Sequence, residues 1–359
     1  MTITYHAGRR LQGLASDLTA TGLPAGSVGG WVELARTTLG AGADQLDVSS
    51  LPDKRYYMYL HWVIPDTYVA PRLRLGNSSV DTGSNYSRRM NENGGTDVTA
   101  TSQDHITGSV EGGGNDQLIV GYIANRSANA KLNMSWSGHR KNAGAANAPG
   151  RGEIVGKWTN TSNPLDVIRM YNGDTGAGDY ASGSELVVLG WDPADTHTTN
   201  FWQELASVNA SGDTLDTGTF TAKKYLWVQC YIDTSGGNVN NLLRFNGDTS
   251  GTYASRQSSN GATDGTSINQ SFIDWGQTTL LSGFTRFYNA FIINNASNEK
   301  LMISHKIDSN TAGAANAPDR LEIVGKWANT SNQITRISAN NTSGGDFGSN
   351  TILKVWGAD

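Results

Sequence analysis

One cysteine in 359 residues, Cys230, has no partner for an intramolecular disulfide, so no disulfide framework holds this fold. Charge is scarce as well. Only 16% of residues are Asp, Glu, Lys or Arg, against about 25% in an ordinary globular chain. With 27 basic and 32 acidic residues the formal net charge is −5, which gives no basic field to draw in nucleic acid. No apolar run approaches the ~18 residues of a membrane-crossing helix, and no window sustains the i, i+3, i+4, i+7 apolar stripe of an amphipathic one. Coiled coils and helical bundles are therefore excluded. The N-terminus lacks the apolar core of a secretory signal, and no apolar segment follows Arg9-Arg10 as a twin-arginine signal requires. The expectation is synthesis in a host cytoplasm without a signal peptide, no membrane insertion and no nucleic-acid partner.

What the chain does hold is glycine (43), tryptophan (10), tyrosine (13) and phenylalanine (8), with abundant Asn, Ser and Thr. The aromatics are too many for a disordered chain, and the small polar residues are turn formers. Short β-favouring segments alternate with turn clusters such as Asp81–Asn85 and Asn91–Thr96. Strands are expected at Val32–Leu39, Tyr56–Ile64, Arg72–Leu75, Leu118–Ala124, Leu165–Tyr171 and Glu185–Trp191. Tyr56–Ile64 is apolar on both faces, as for a strand held between layers. Leu132, Met134 and Trp136 alternate with Asn133 and Ser135, which places the first three toward a core. Ile154 and Trp158 alternate with Glu153, Val155 and Lys157 in the same sense.

The chain is written twice. Ala143-Gly-Ala-Ala-Asn-Ala-Pro149 returns as 312–318, Glu153-Ile-Val-Gly-Lys-Trp158 as 322–327, and Asn160–Asn163 as Asn329–Asn332, all at one offset. The expected organisation is an arm and Gly-rich tether at 1–29, one unit at 30–192, a linker at 193–200 and a second unit at 201–359. The fold class expected is all-β: two tandem, homologous, antiparallel β-sandwich units of jelly-roll-like type after an extended N-terminal arm.

Residues 1–29 have no counterpart in the second copy. They read either as a loose tail or as a docking arm with Tyr5, His6, Arg9 and Arg10 as its assembly contacts. The repeated loop reads as a structural connection or a repeated contact, with Asn147 and Pro149, and Asn316 and Pro318, as its contact residues. Trp158 and Trp327, and Trp31 and Trp202, sit in apolar alternation and are expected in cores. Trp62, Trp191, Trp227, Trp275 and Trp356 stay unassigned.

No catalytic residues are expected, and the chain does not read as an enzyme. None of the six His residues recurs at the matching place of the other copy, and no G-x-S-x-G, H-E-x-x-H, C-x-x-C or Walker A sequence occurs. Acids shared between copies lie mostly in turn segments, and Glu153 reads as part of a solvent-facing charged strand edge between Arg151 and Lys157. No cofactor is expected beyond one candidate structural calcium at Asn172, Asp174 and Asp179, oxygen ligands on a flexible loop, for which an ordinary turn is the alternative.

The opening Tyr5-His-Ala-Gly-Arg-Arg-Leu-Gln-Gly13 and the block Arg320–Ile337 resemble uncharacterised structural proteins of marine viruses and phages. The ending Asp179–Gly190 looks like the last strand of β-units in phage structural proteins. The first copy departs at Pro164-Leu-Asp-Val, where the second has Gln333-Ile-Thr-Arg. The resemblance supplies no catalytic residue. It implies a non-enzymatic component of a virion or other extracellular assembly, a capsid-surface or decoration protein first. Its partners would be copies of itself as a homo-oligomer and other virion proteins. A receptor- or carbohydrate-binding tail or fibre protein meeting cell-surface glycans, and a self-assembling extracellular filament subunit, are the alternatives.

Overall fold

The computed structural model describes residues 30–359 except 110–111, 175–177, 193–199, 211, 277–278 and 310–312. Tyr5, His6, Arg9 and Arg10, and nearly all of the 193–200 linker, lie outside the described residues. All regular structure among the described residues is β, and every strand pairing is antiparallel.

Residues before 192 form an eight-stranded sheet with the strands Val32–Thr38, Glu185–Trp191, Tyr56–Val63, Gln117–Ala124, Lys131–His139, Gly150–Trp158, Tyr86–Glu92 and Val98–Gln103 in that spatial order. A smaller sheet is built on Gln45–Val48, Val167–Asn172 and Pro71–Asn77. Residues after 200 repeat the plan. Their large sheet runs Gln203–Asn209, Ile352–Ala358, Tyr225–Ser235, Thr285–Ile293, Lys300–Asp308, Asp319–Trp327, Tyr253–Ser259 and Gly265–Gln270. The small one is Thr214–Asp216, Ile337–Asn341, Asn241–Phe245 and Ile273–Asp274.

In each half the two sheets contribute to one hydrophobic core. Tyr57, Ile119 and Val188 of the first large sheet share a cluster with Leu46, Leu73 and Ile168 of the small one. Leu226, Ile292 and Val355 do the same with Leu215, Leu243 and Ile337. Removing such side chains from water is the main stabilising term, at about 1.5–3 kcal/mol per large apolar residue. Trp158 and Trp327 anchor these cores. Each is fully buried, donates its indole N–H to Asp81 (2.7 Å) or Asp248 (2.8 Å), and carries a lysine ammonium, Lys131 or Lys300, over its ring. Burial draws the Lys300 ammonium down to about 8, while its three protons reach the carbonyls of Ala296, Asn298 and Asn329.

The strand Lys131–His139 overturns the expected alternation. Asn133 and Ser135 face the core, while Leu132 and Met134 face out. Tyr59 satisfies the inward amide: its buried hydroxyl donates to Asn133 Oδ1 (3.0 Å) and its ring occupies the place beside Gly121 that a Cβ would need. At the offset of the repeat, the second half has Val228, Met302 and Ala290 where the first has Tyr59, Asn133 and Gly121. The buried tyrosine, its amide partner and the glycine that makes room changed together.

A third cluster joins the halves. Leu60, Trp62 and Leu118 from the outer face of the first large sheet pack with Tyr225, Phe291 and Ile303 from the outer face of the second. Gly138 permits the close approach: a Cβ there would lie 3.0 Å from Val324 and 3.3 Å from Ile303. Glu153, expected at a solvent-facing edge, instead lies in the middle of the sheet at this junction. Its carboxylate is 3.0 Å from Arg151, whose guanidinium also reaches Asp264 (2.9 Å) and Glu322 (3.4 Å).

Candidate functional site

The outer face of a strand pairs its residues rung by rung with the neighbours' outer faces. In the first half one rung runs Trp191, Tyr56, Ala124, Leu132, Lys157 and Ser87 across six strands. The next runs Tyr122, Met134, Val155, Arg89 and Thr99. Trp31 stands over one end, its ring centroid 5.9 Å from Tyr122 and 6.5 Å from Trp191, and Tyr56 stacks on Trp191 at 5.4 Å. Two adjoining hollows lie along these rungs, of about 460 Å³ at the aromatic end and 640 Å³ at the other, with Leu132 and Asn133 common to both.

The cationic end holds Arg89 and Lys157. The Lys157 side chain is exposed and has no hydrogen-bond or ion-pair partner among the described residues. Among the described residues Arg89 makes only an exposed side-chain pair, with Asp97 at 3.4 Å. Arg88 also borders the hollow but is held by His105, at 3.2 Å. Among the described residues no carboxylate lines either hollow, in a chain whose net charge is −5.

In the second half the same positions are covered. Leu132, Met134 and Val155 are 57%, 48% and 52% exposed, whereas Leu301, Ile303 and Val324 are 0%, 3% and 1% exposed. Lys326, the counterpart of Lys157, is buried and donates to the backbone oxygens of Arg140 (3.2 Å) and Asn142 (2.9 Å). Arg256, the counterpart of Arg89, donates to the carbonyl of Pro149 at 2.8 Å. The cover over Lys326 and Arg256 is the first half's repeated loop, with Ala145 O accepting from Asn269 N and Gly144 N donating to Glu299, while Leu301, Ile303 and Val324 lie in the cluster that joins the halves. Asn147 braces the loop by donating to Ala143 O. Its twin is exposed at Asn316 and Pro318.

The proposed calcium ligands are spread differently. Asn172 accepts from the N–H groups of Ala70 (2.9 Å) and Asp174 (3.1 Å) and donates to the carbonyls of Tyr68 and Gly178. Asn341 ties its own loops in the same way, accepting from Asn240 N and Ser343 N. The shared asparagine is therefore engaged as a loop tie, and the described residues hold no group of three or more His, Cys, Asp or Glu side chains fit for a metal ion. Asp179 belongs to the neighbouring turn, where its carboxyl is raised by sharing a hydrogen bond with Asp44.

Sequence reasoning placed Trp31, Leu132 and Met134 in the core and left Trp191 unassigned. A signal was present in the difference between copies. Leu301-Met-Ile303 is apolar on both faces, while Leu132-Asn-Met134 is apolar on one only. The face that stayed apolar in both copies is the outer one.

No family model matches this chain, and no curated protein matches it. Among solved structures, Ail, the attachment invasion locus protein of Yersinia pestis, overlaps at 7% identity and a TM-score of 0.11, covering 81% of this chain and 99% of that one. Neisserial surface protein A gives 6% and 0.10, covering 80% of this chain and 99% of that one. Overlap at that level carries no argument about fold or function. No helix among the described residues is long and apolar enough to cross a membrane.

Proposed function

We propose that the chain comprises two tandem two-sheet β-sandwich units behind an N-terminal arm, and serves as a non-enzymatic structural component of a viral particle, displayed at the capsid surface. The layering is jelly-roll-like; the connectivity includes a meander, because Gln117–Ala124, Lys131–His139 and Gly150–Trp158 are consecutive neighbours in one sheet. One observation carries the reading: the face positions Leu301, Ile303 and Val324, buried in the second half, have counterparts that stand open in the first, leaving a built contact surface for an external partner. The viral context rests on the resemblance of Tyr5–Gly13 and Arg320–Ile337. Sedimentation and electron microscopy of the full chain at rising concentration test it, with ordered assemblies expected and their loss expected on deleting residues 1–28. A chain that stays monomeric and binds no particle overturns it.

A second reading is favoured by a specific observation. Four partly exposed aromatic rings, Trp31, Tyr56, Tyr122 and Trp191, gather at one end of the open face, which suits a carbohydrate-binding surface protein.

A further inference from the structure

Resting on that second reading, we infer that the open face of the first half is an extended binding groove for an acidic polysaccharide, carrying carboxylate or sulfate groups. Trp31, Tyr56 and Trp191 stack its sugar rings, and Lys157 and Arg89 receive its anionic oxygens.

The covered face of the second half shows what these cations donate to when occupied. Lys326 and Arg256 hold three backbone oxygens of the loop laid across them. Lys157 and Arg89 keep the same places without a loop laid across them, and Arg89 meets only the exposed Asp97 carboxylate among the described residues. Among the positions at which the two faces differ, two favour a sugar acid over a peptide loop. Ala130 replaces Glu299, removing the carboxylate that accepts the loop's Gly144 N–H. Trp191 replaces Ala358, adding an aromatic platform beside Tyr56. One acceptor for peptide N–H groups is gone and one surface for ring C–H groups is gained.

Charge points the same way. A groove whose described lining holds Arg88, Arg89 and Lys157 and no carboxylate, with Asp97 only beside Arg89, is complementary to an anion. Length points to a polymer. The rungs from Trp191 to Thr99 cross seven adjacent strands, which at ~4.8 Å per strand is about 29 Å. Such a span fits an oligosaccharide better than a single sugar. Ser87, Thr99 and Thr101 line the cationic end with hydroxyls able to pair with those of the ligand.

The test is calorimetric titration of the full chain with three probes: a uronic-acid hexamer, a sulfated hexasaccharide and neutral maltohexaose. Saturable binding of at least one acidic probe is expected, at least tenfold tighter than maltohexaose and weakening as salt rises. Lys157→Glu should weaken it tenfold or more, and Trp191→Ala likewise, with Trp191→Phe restoring most of it. Ile307→Ser, on the exposed outer face of the second half, should leave it unchanged. Near-UV circular dichroism of each variant checks that the fold is intact.

Absence of binding by both acidic probes overturns the proposal, as does equal binding of maltohexaose. Two other occupants give their own results, and either overturns it. A concentration-dependent dimer abolished by Met134→Asp assigns the face to a second copy, and acidic-probe binding that appears only after deletion of residues 1–29 assigns it to that segment. Acidic-probe binding by a chain that forms no assemblies supports the groove while removing the capsid-surface role, so the two readings fail separately.

Discussion

The two halves share a strand order, a buried tryptophan bonded to a turn aspartate and a lysine laid over its ring, yet they treat one sheet face in opposite ways. In the second half Ile303 and Val324 lie against Gly138 of the first half, and Lys326 and Arg256 donate to its Asn142 and Pro149 carbonyls; in the first, Met134, Val155 and Lys157 are open. Glycine and isoleucine mark the difference. Gly138 lets the first half approach Val324 and Ile303 closely, whereas its counterpart Ile307 is exposed and too large for the same approach to Val155 and Met134. A duplicated unit can therefore bury a face in one copy and keep it for another partner in the other.

The largest expected effect is at Glu185, which joins the halves. This buried carboxylate accepts from Thr38 (2.6 Å) and from Tyr225 Oη (2.8 Å), and pairs with Lys224 (2.9 Å) and Arg36 (3.2 Å). Burial alone would raise it, but the Thr38 hydroxyl and Lys224 hold it below its ordinary value. Glu185→Ala leaves two cations facing one another and should cost about 3–5 kcal/mol in urea unfolding. A loss under 1 kcal/mol would mean that the junction does not depend on this carboxylate.

Next comes the direct comparison of equivalent residues. Ile303→Ala should cost about 2–5 kcal/mol, while Met134→Ala at the matching exposed position should stay within about 0.5 kcal/mol. Equal costs would show that the first half's face is covered in solution.

A smaller effect is expected with pH. Burial, and then the facing Glu322, raise the Glu153 carboxyl to about 7. Between its ordinary value of 4.5 and 7 the folded protein keeps a proton that the unfolded chain has lost, so stability falls as pH rises through that window. His305, 4.0 Å from Glu153, is lowered to about 4 by burial and then by Arg151 and Arg320, so its contribution rises with pH from 4 to 6.5. Glu153→Gln should remove the falling part, stabilising the protein at pH 8 by about 1–3 kcal/mol and exposing the rising slope of His305 in melting curves. An unchanged pH profile would show that Glu153 ionises freely. The smallest effect is at calcium's proposed loop, where EDTA is expected to leave the melting temperature unmoved because Asn172 already spends its amide on backbone groups.

Much of this was legible in the residues. The offset between Ala143 and Ala312 announced two equivalent sheet systems, and the strands Tyr56–Val63 and Glu185–Trp191 fall where their β-branched and aromatic runs placed them. The pair Tyr86–Glu92 and Val98–Gln103 was missed because its exposed polar residues resemble the turns that flank them. The open face was missed for a different reason. Alternation reveals that two faces differ, and it assigns the apolar one inward only when a single core exists.

The sequence by itself determined that the protein is all-β and internally duplicated, because strand periodicity, turn residues and repeated blocks are local or self-referential signals. Only the tertiary structure decided which apolar face is core, which is junction and which is open. That choice is made by packing between residues distant in sequence, such as Tyr59 beside Gly121 and Gly138 against Val324 of the other half, 62 and 186 positions apart.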